Sequence, residues 1–128
     1  MKVFLILALL SPVLLAETIP DYSRSQWRHW VDSDSDCLNT RHELLARESL
    51  EPVIYKTVKN CNVITGKWYG PYLGKFFTVS SDFDHVIPIK WAHIHGGWRW
   101  SRDLKRQFAN DYLNLLLVDK GRNRSKGE

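Results

Sequence analysis

The sequence predicts one small α+β domain. Helix-forming and strand-forming stretches follow one another without the regular alternation of a doubly wound parallel sheet, and no internal repeat or low-complexity tract interrupts them. At 128 residues the chain is about one domain long. Its 44% hydrophobic and 12% aromatic content and mean hydropathy of −0.33 exclude a polytopic membrane protein, a disordered tail and a fibrous rod. A compact soluble domain is left.

Taken in order, residues 1–16 read as a secretory signal peptide. Lys2 supplies an early positive charge, residues 3–15 are almost wholly apolar, and Ala16 is a small residue at the expected cleavage point. That run is short for a bilayer core of roughly 30 Å, and Pro12 interrupts it. An uncleaved anchor is the weaker alternative, raised by the large Leu14 at the −3 position. The mature domain is then residues 17–128.

Residues 17–25 form a lead-in, and Trp27-Arg28-His29-Trp30 has the i, i+3 tryptophan spacing of one helical turn. Thr40-Arg41-His42-Glu43 has the Thr-x-x-Glu form of a capping box. Leu44, Leu45 and Leu50 follow, so a helix is expected over about residues 41–50, stopped by Pro52. Val53, Ile54, Tyr55, Val58, Val63 and Ile64 give β-rich runs, broken at Thr65-Gly66, that predict a small antiparallel unit. Gly70-Pro71 and Gly74 mark turns before two more strands, residues 76–79 and 83–89. A Trp- and His-rich loop follows. Ser101 is placed to cap a helix over about residues 102–110, and residues 115–118 read as a buried strand ahead of a basic tail.

The formal net charge of +4 is unevenly spread. Residues 17–84 hold 8 basic and 10 acidic side chains, whereas residues 85–128 hold 9 and 4. The C-terminal third is therefore the candidate surface for a polyanion. Cys37 and Cys61 are the only cysteines and follow an export signal, so a disulfide is expected. Zinc is the lesser alternative, because two lone cysteines lack C-x-x-C spacing.

Asp82-Phe83-Asp84-His85, with Pro88 three residues on, falls where a strand should end. On a strand Asp82 and Asp84 share one face and His85 takes the other. A carboxylate can hold a hard divalent cation while a neutral imidazole nearby takes a proton from water. Such a pair alone is more often surface decoration. The signal sharpens with Asn114-Leu115, opening the last strand, and Asn123-Arg124-Ser125-Lys126-Gly127 after it. Asp-His-x-x-Pro, then Asn-Leu, then Asn-Arg-x-Lys resembles the HNH endonucleases, in the variant whose last motif residue is Asn. Trp30-x-Asp32-x-Asp34-x-Asp36, Thr40-Arg41 and Phe108-Ala109-Asn110-Asp111 extend the likeness. From about residue 22 to the end, the chain resembles exported HNH nucleases related to the C-terminal domain of modification-dependent restriction endonucleases.

That resemblance implies a ββα-metal motif in the C-terminal half, with His85 at the first strand, Asn114 at the second and Asn123 on the helix. It implies catalytic roles for His85, as general base, and for Asn114, which orients the histidine or its loop. One divalent cation, Mg²⁺ or Mn²⁺, would be held by Asp84 and Asn123, stabilising charge on the scissile phosphate. Arg124, Lys126 and Lys90 would neutralise phosphates. The implied activity is hydrolysis of DNA with little sequence preference, RNA being a further candidate, by a secreted or periplasmic monomer not integrated in the membrane after signal cleavage. Relatives have Pro and Trp beyond the Lys-Gly pair, whereas this sequence stops at Glu128. The helix bearing Asn123 is thus expected to be little more than one turn and to need packing for support.

Several features fall outside that motif. Asp32, Asp34, Asp36 and Glu43 have EF-hand-like spacing for Ca²⁺, but Cys37 stands where that loop needs Gly, so a hydrogen-bonded acidic turn is favoured. His93-x-His95 offers too few ligands for zinc and reads as a loop beside the site. Trp91, Trp98 and Trp100 read first as core and second as stacking surfaces. Two other functions compete: a secreted carbohydrate- or cell-wall-binding module that grips through the aromatic loop, and a DNA-binding HNH remnant without catalysis. A nuclease must gather His85, Asn114 and Asn123 around one cavity. A binding module has no such need.

Overall fold

The computed structural model describes residues 16–79, 81–121 and 123. The expected signal peptide, apart from Ala16, lies outside the described residues, as do Arg124 and Lys126. The α+β expectation holds. A 3-10 turn, Arg24–Gln26, precedes helix α1 (Thr40–Glu48), and strands β1 (Ile54–Tyr55), β2 (Val63–Gly70) and β3 (Lys75–Val79) form an antiparallel sheet in that order. Strand β4 (Asp82–His85) pairs antiparallel with β5 (Leu115–Val118) in a second sheet. Between them come α2 (Ile89–Ile94), a 3-10 turn at Gly97–Arg99, α3 (Arg102–Ala109) and a 3-10 turn at Tyr112–Asn114.

Helix α1 begins one residue earlier than a Thr40 cap would allow. Asn39 is the cap, its side-chain oxygen accepting the N–H groups of Arg41 and His42. The Thr40 hydroxyl is engaged elsewhere, 2.9 Å from both the Val31 carbonyl and the Asn110 Oδ1. Glu43 does not close a capping box either: it accepts the Tyr112 hydroxyl, and this bond, with burial second, pushes the phenol pKa up to about 12. The helix buries Leu44 and Leu45 against Val63, Trp68, Phe83, Leu115 and Leu117. Trp68 also donates its indole N–H to the Leu45 carbonyl at 2.8 Å.

Strand β2 runs through Thr65-Gly66 instead of breaking there. Thr65 pairs with Val79 and Trp68 with Phe77, so β2 carries one extra residue, a bulge. Gly66 is needed at that bulge, since a Cβ would lie 2.6 Å from the Trp68 ring. Strand β4 stops at His85 and does not reach Ile89, and the expected aromatic loop is instead α2. Pro88, φ −59°, opens that helix, and Ile89, Ala92 and His93 bury one face at i, i+3, i+4 spacing. Gly96, φ 104°, ends it.

A second apolar cluster joins Trp27, Ile89, Ala92 and Ala109, with Tyr22, Trp100 and Phe108 packed on its edge. Trp27 and Trp30 do not share a helical face. Trp30 has φ 56°, which turns the chain so that its indole packs on the first cluster. The buried tryptophans are Trp27 and Trp68; Trp91 is exposed, and Trp98 and Trp100 are half-buried, contrary to the expectation that the later three are core. Among the described residues no helix is long and apolar enough to cross a membrane.

Cys37 and Cys61 form the expected disulfide, with Cα atoms 5.1 Å apart, which leaves no thiol pair for zinc. It ties the loop before α1 to the approach to β2 across 24 residues. Reduction is expected to lower stability by about 3 kcal/mol in the chain-entropy model. Urea unfolding with and without dithiothreitol checks this, and coincident midpoints would refute it.

Candidate active site

The β4–β5 ladder sets Asp84 opposite Leu116 and His85 opposite Leu115. Alternation along β4 follows the strand period: Phe83 and His85 are buried, Asp82 and Asp84 half-exposed. Helix α1 holds the start of this strand through Arg41, whose guanidinium donates to the Ser81 carbonyl at 2.6 Å and lies 3.6 Å from the Asp82 carboxylate.

His85 is 7% exposed. Its Nε2 lies 2.9 Å from the Ala109 carbonyl. A carbonyl only accepts, so Nε2 carries the proton and Nδ1 keeps a lone pair. The Trp30 indole stacks near the imidazole at 6.4 Å and 29°. Burial, as the main cause, holds the His85 pKa below the usual 6.5; the Ala109 carbonyl opposes it, His29 and Arg24 add to it, and Asp84 opposes it. The ring is therefore neutral at pH 7.

Asn114 immobilises the chain just beyond His85. Its Oδ1 accepts Ile87 N–H at 2.7 Å, its Nδ2 donates to the Ile87 carbonyl at 3.1 Å, and its main-chain carbonyl accepts Val86 N–H at 2.9 Å. Past β5 the chain is helical at Lys120, Gly121 and Asn123, where Asn123 N–H donates to the Asp119 carbonyl at 2.9 Å. Asp84 and His85 thus lie on alternate faces of β4, Asn114 ends the 3-10 turn that leads into its partner β5, and Asn123 sits on the helical turn that follows β5. Lys90 is exposed on α2.

Four residues near His85 appeared in the sequence reading without a role at the site. Trp30 covers His85, Ala109 accepts its proton-bearing nitrogen, and His29 lies alongside, its ring 5.4 Å from Trp30 and its own pKa lowered mainly by burial. Asn110 ties down the backbone on either side of His29 and Trp30. Its Nδ2 donates to the carbonyls of Arg28 (2.9 Å) and Arg106 (2.8 Å), and its Oδ1 accepts Val31 N–H at 3.2 Å and faces the Thr40 hydroxyl. Both amide hydrogens are donated, and Oδ1 takes the Val31 N–H and shares the Thr40 hydroxyl hydrogen with the Val31 carbonyl. Two of those bonds bracket Trp30, holding a bulky residue in the left-handed region that it otherwise disfavours. The Phe-Ala-Asn-Asp string was visible, but nothing local in it gives this role.

His93 and His95 do not form a ligand pair. His93 is 1% exposed and bonds the Pro20 carbonyl through Nε2 at 2.8 Å. His95 is exposed and bonds the Trp91 carbonyl through Nδ1. Asp32, Asp34 and Asp36 do cluster, with oxygens within 4.8 Å of one another. These carboxylates accept main-chain N–H groups of Cys37, Asp36 and Leu38, while Glu43 turns to Tyr112.

The fold and this sheet define a small α+β domain in which an Asp-His strand pairs with an Asn-led strand. Over residues 39–128 the chain matches the family described as GmrSD restriction endonucleases, C-terminal domain, and it belongs to that family. The domain is therefore nuclease-like. It is also similar to a protein of Arthroderma benhamiae described as an uncharacterized secreted protein, 33% identical over 111 residues, or 84% of this chain and 52% of the relative. The chain thus spans about half the length of the curated relative it matches. Secretion, expected from the leader, agrees with that likeness. No solved structure matches. The segment carrying His29 and Trp30 lies outside the matched residues.

Proposed function

We propose that residues 17–128, after removal of a 1–16 signal peptide, are a secreted monomeric endonuclease that uses one divalent cation, Mg²⁺ or Mn²⁺, to hydrolyse DNA with little sequence preference. The observation that supports it most is the state of His85: Nε2 is occupied by the Ala109 carbonyl, and the neutral ring keeps a lone pair on Nδ1, one residue along the strand from Asp84.

The donor set suits a hard cation. The Asp84 carboxylate and the Asn123 amide carbonyl offer oxygen ligands of the kind that Mg²⁺ and Mn²⁺ take. Bound there, the cation would stabilise charge on the scissile phosphate and the leaving oxygen. His85 Nδ1 takes a proton from the attacking water. Trp30 and the Ala109 carbonyl fix the ring and its tautomer, while Asn114 holds the loop after it through Ile87. Lys90, Arg124 and Lys126 neutralise flanking phosphates. The carbohydrate-binding alternative has less to rest on: its aromatic loop is a helix, and Trp100 packs on Trp27 at 5.7 Å.

Incubation of the oxidised chain with supercoiled plasmid tests the reading. Nicking in Mg²⁺ or Mn²⁺ that stops with EDTA is expected; an intact plasmid in both metals refutes it. DNA affinity should also fall with salt. Neutralising three phosphates gives roughly a 40-fold loss between about 50 and 200 mM salt. A flat salt dependence would favour a non-electrostatic ligand.

A further inference from the structure

Helix α2 presents a face that the core does not use and that the proposed chemistry draws on only through Lys90. Ile89, Ala92 and His93 point inward, which leaves Lys90, Trp91, Ile94 and His95 outward. Trp91 is 50% exposed although aromatic residues of its size are usually largely buried. The His95 ring lies flat on its indole, centroids 3.8 Å apart at 15°, and a 2.8 Å bond from Nδ1 to the Trp91 carbonyl pins the imidazole there. One indole face is covered, so the exposed area belongs to the other face and the ring edges. Among the described residues Lys90, one position earlier, has no salt bridge, and the charge excess of residues 85–128 includes it.

The platform is also rigidly placed. Asn114 grips Ile87, two residues after His85, and Pro88 starts the helix directly. Trp91 is six residues from His85, and with part of that path helical the two are within roughly 15 Å, a few nucleotides along a strand. We infer that the Trp91–His95 pair is a stacking platform for an unpaired nucleobase close to the cleavage point, with Lys90 on a neighbouring phosphate. Every base has a π-face, so such a contact is sequence-tolerant, and holding the indole in advance reduces the entropy lost on binding. The substrate it selects is a single-stranded or frayed stretch in preference to an intact duplex. The platform's position beside the scissile bond rests on the nuclease reading; the stacking itself does not.

The test is binding of the full mature chain, in EDTA, to a fluorescein-labelled single-stranded oligonucleotide and to a hairpin whose strands are joined by a non-nucleotide linker, so that every base is paired. Trp91→Leu keeps apolar bulk without a ring face and is expected to weaken single-strand binding roughly 5- to 150-fold. Trp91→Phe should retain most of the affinity, and neither change should move hairpin binding more than about twofold. Circular dichroism melts of both variants establish that they are folded, as an exposed position leads one to expect. Leu binding the single strand as well as wild type, or losing strand and hairpin equally, overturns the platform. Selective loss with plasmid left intact in metal keeps the platform and removes the nuclease reading; plasmid cutting without any Trp91 effect does the reverse.

Discussion

His85→Ala lowers plasmid cleavage by about 10²- to 10⁴-fold, the usual contribution of a general base, while DNA affinity measured in EDTA stays near that of the wild type. The expectation follows from geometry: with Nε2 committed to Ala109, Nδ1 is the only ring atom left to accept a proton. The pH profile gives a second readout. Burial holds the His85 pKa below 6.5, so the base is unprotonated from neutral pH down past that value, and activity declines only as pH falls through the lowered pKa. Stability follows the same sign. The unfolded chain takes up the proton near pH 6.5 while the folded chain resists it, so stabilisation is full above that pH and is lost as pH falls toward the folded value. His29 and His42, both lowered mainly by burial, act in the same direction. His42 Nδ1 also accepts Val63 N–H at 3.1 Å, a bond that protonation abolishes. Cleavage by His85→Ala within a few-fold of wild type would sink the assignment.

Asn110→Ala is expected to cost about 2–4 kcal/mol of stability, from four hydrogen bonds at roughly 0.5–1.5 kcal/mol each with some recovered by water, and to reduce cleavage at least about tenfold in molecules that remain folded. The bonds to the Arg28 carbonyl and Val31 N–H flank Trp30. Their loss frees Trp30 from a backbone region worth about 1–3 kcal/mol of strain, and the cover over His85 goes with it. Asn110→Asp separates this from a volume effect. It keeps the size but cannot donate to the Arg28 and Arg106 carbonyls, so it should be nearly as damaging as alanine. Chemical denaturation and plasmid nicking measure the two effects. An aspartate variant with wild-type midpoint and rate would leave the clamp without force.

How much of this was legible depended on how local its cause is. Helix α3 could be read because Ser101 caps it by accepting Leu104 N–H three residues on, at 3.1 Å. Strand β5 announced itself by four apolar residues, and the disulfide by two cysteines behind a leader. Helix α1 was visible, but its cap was misplaced by one residue: Asn39 and Thr40 both have cap chemistry, and the Thr40 hydroxyl is drawn off by Val31 and Asn110. Helix α2 was hidden because Pro88 and Gly96-Gly97 look like loop punctuation, whereas here they start and stop a six-residue helix. Asp84, His85 and Asn114 were singled out by motif spacing; the first two lie on β4 and the third in the turn that opens its partner strand. Trp30 and Asn110 could not be assigned their roles, since the bonds that define them span 79 and 82 residues. A left-handed tryptophan is an imposition of tertiary contact that no propensity foretells.

Those separations order events in time. Arg28 to Val31 leave the ribosome well before the asparagine that clamps them, 79 and 82 residues later in the chain. At synthesis rates of about 5–20 residues per second this is roughly 4–16 s without a partner, and closing so long a loop makes the contact slow to form even afterwards. The tryptophan lid is therefore translated early and seated late. A nascent chain lacks the clamp that seats Trp30 over the histidine until Asn110 has been added.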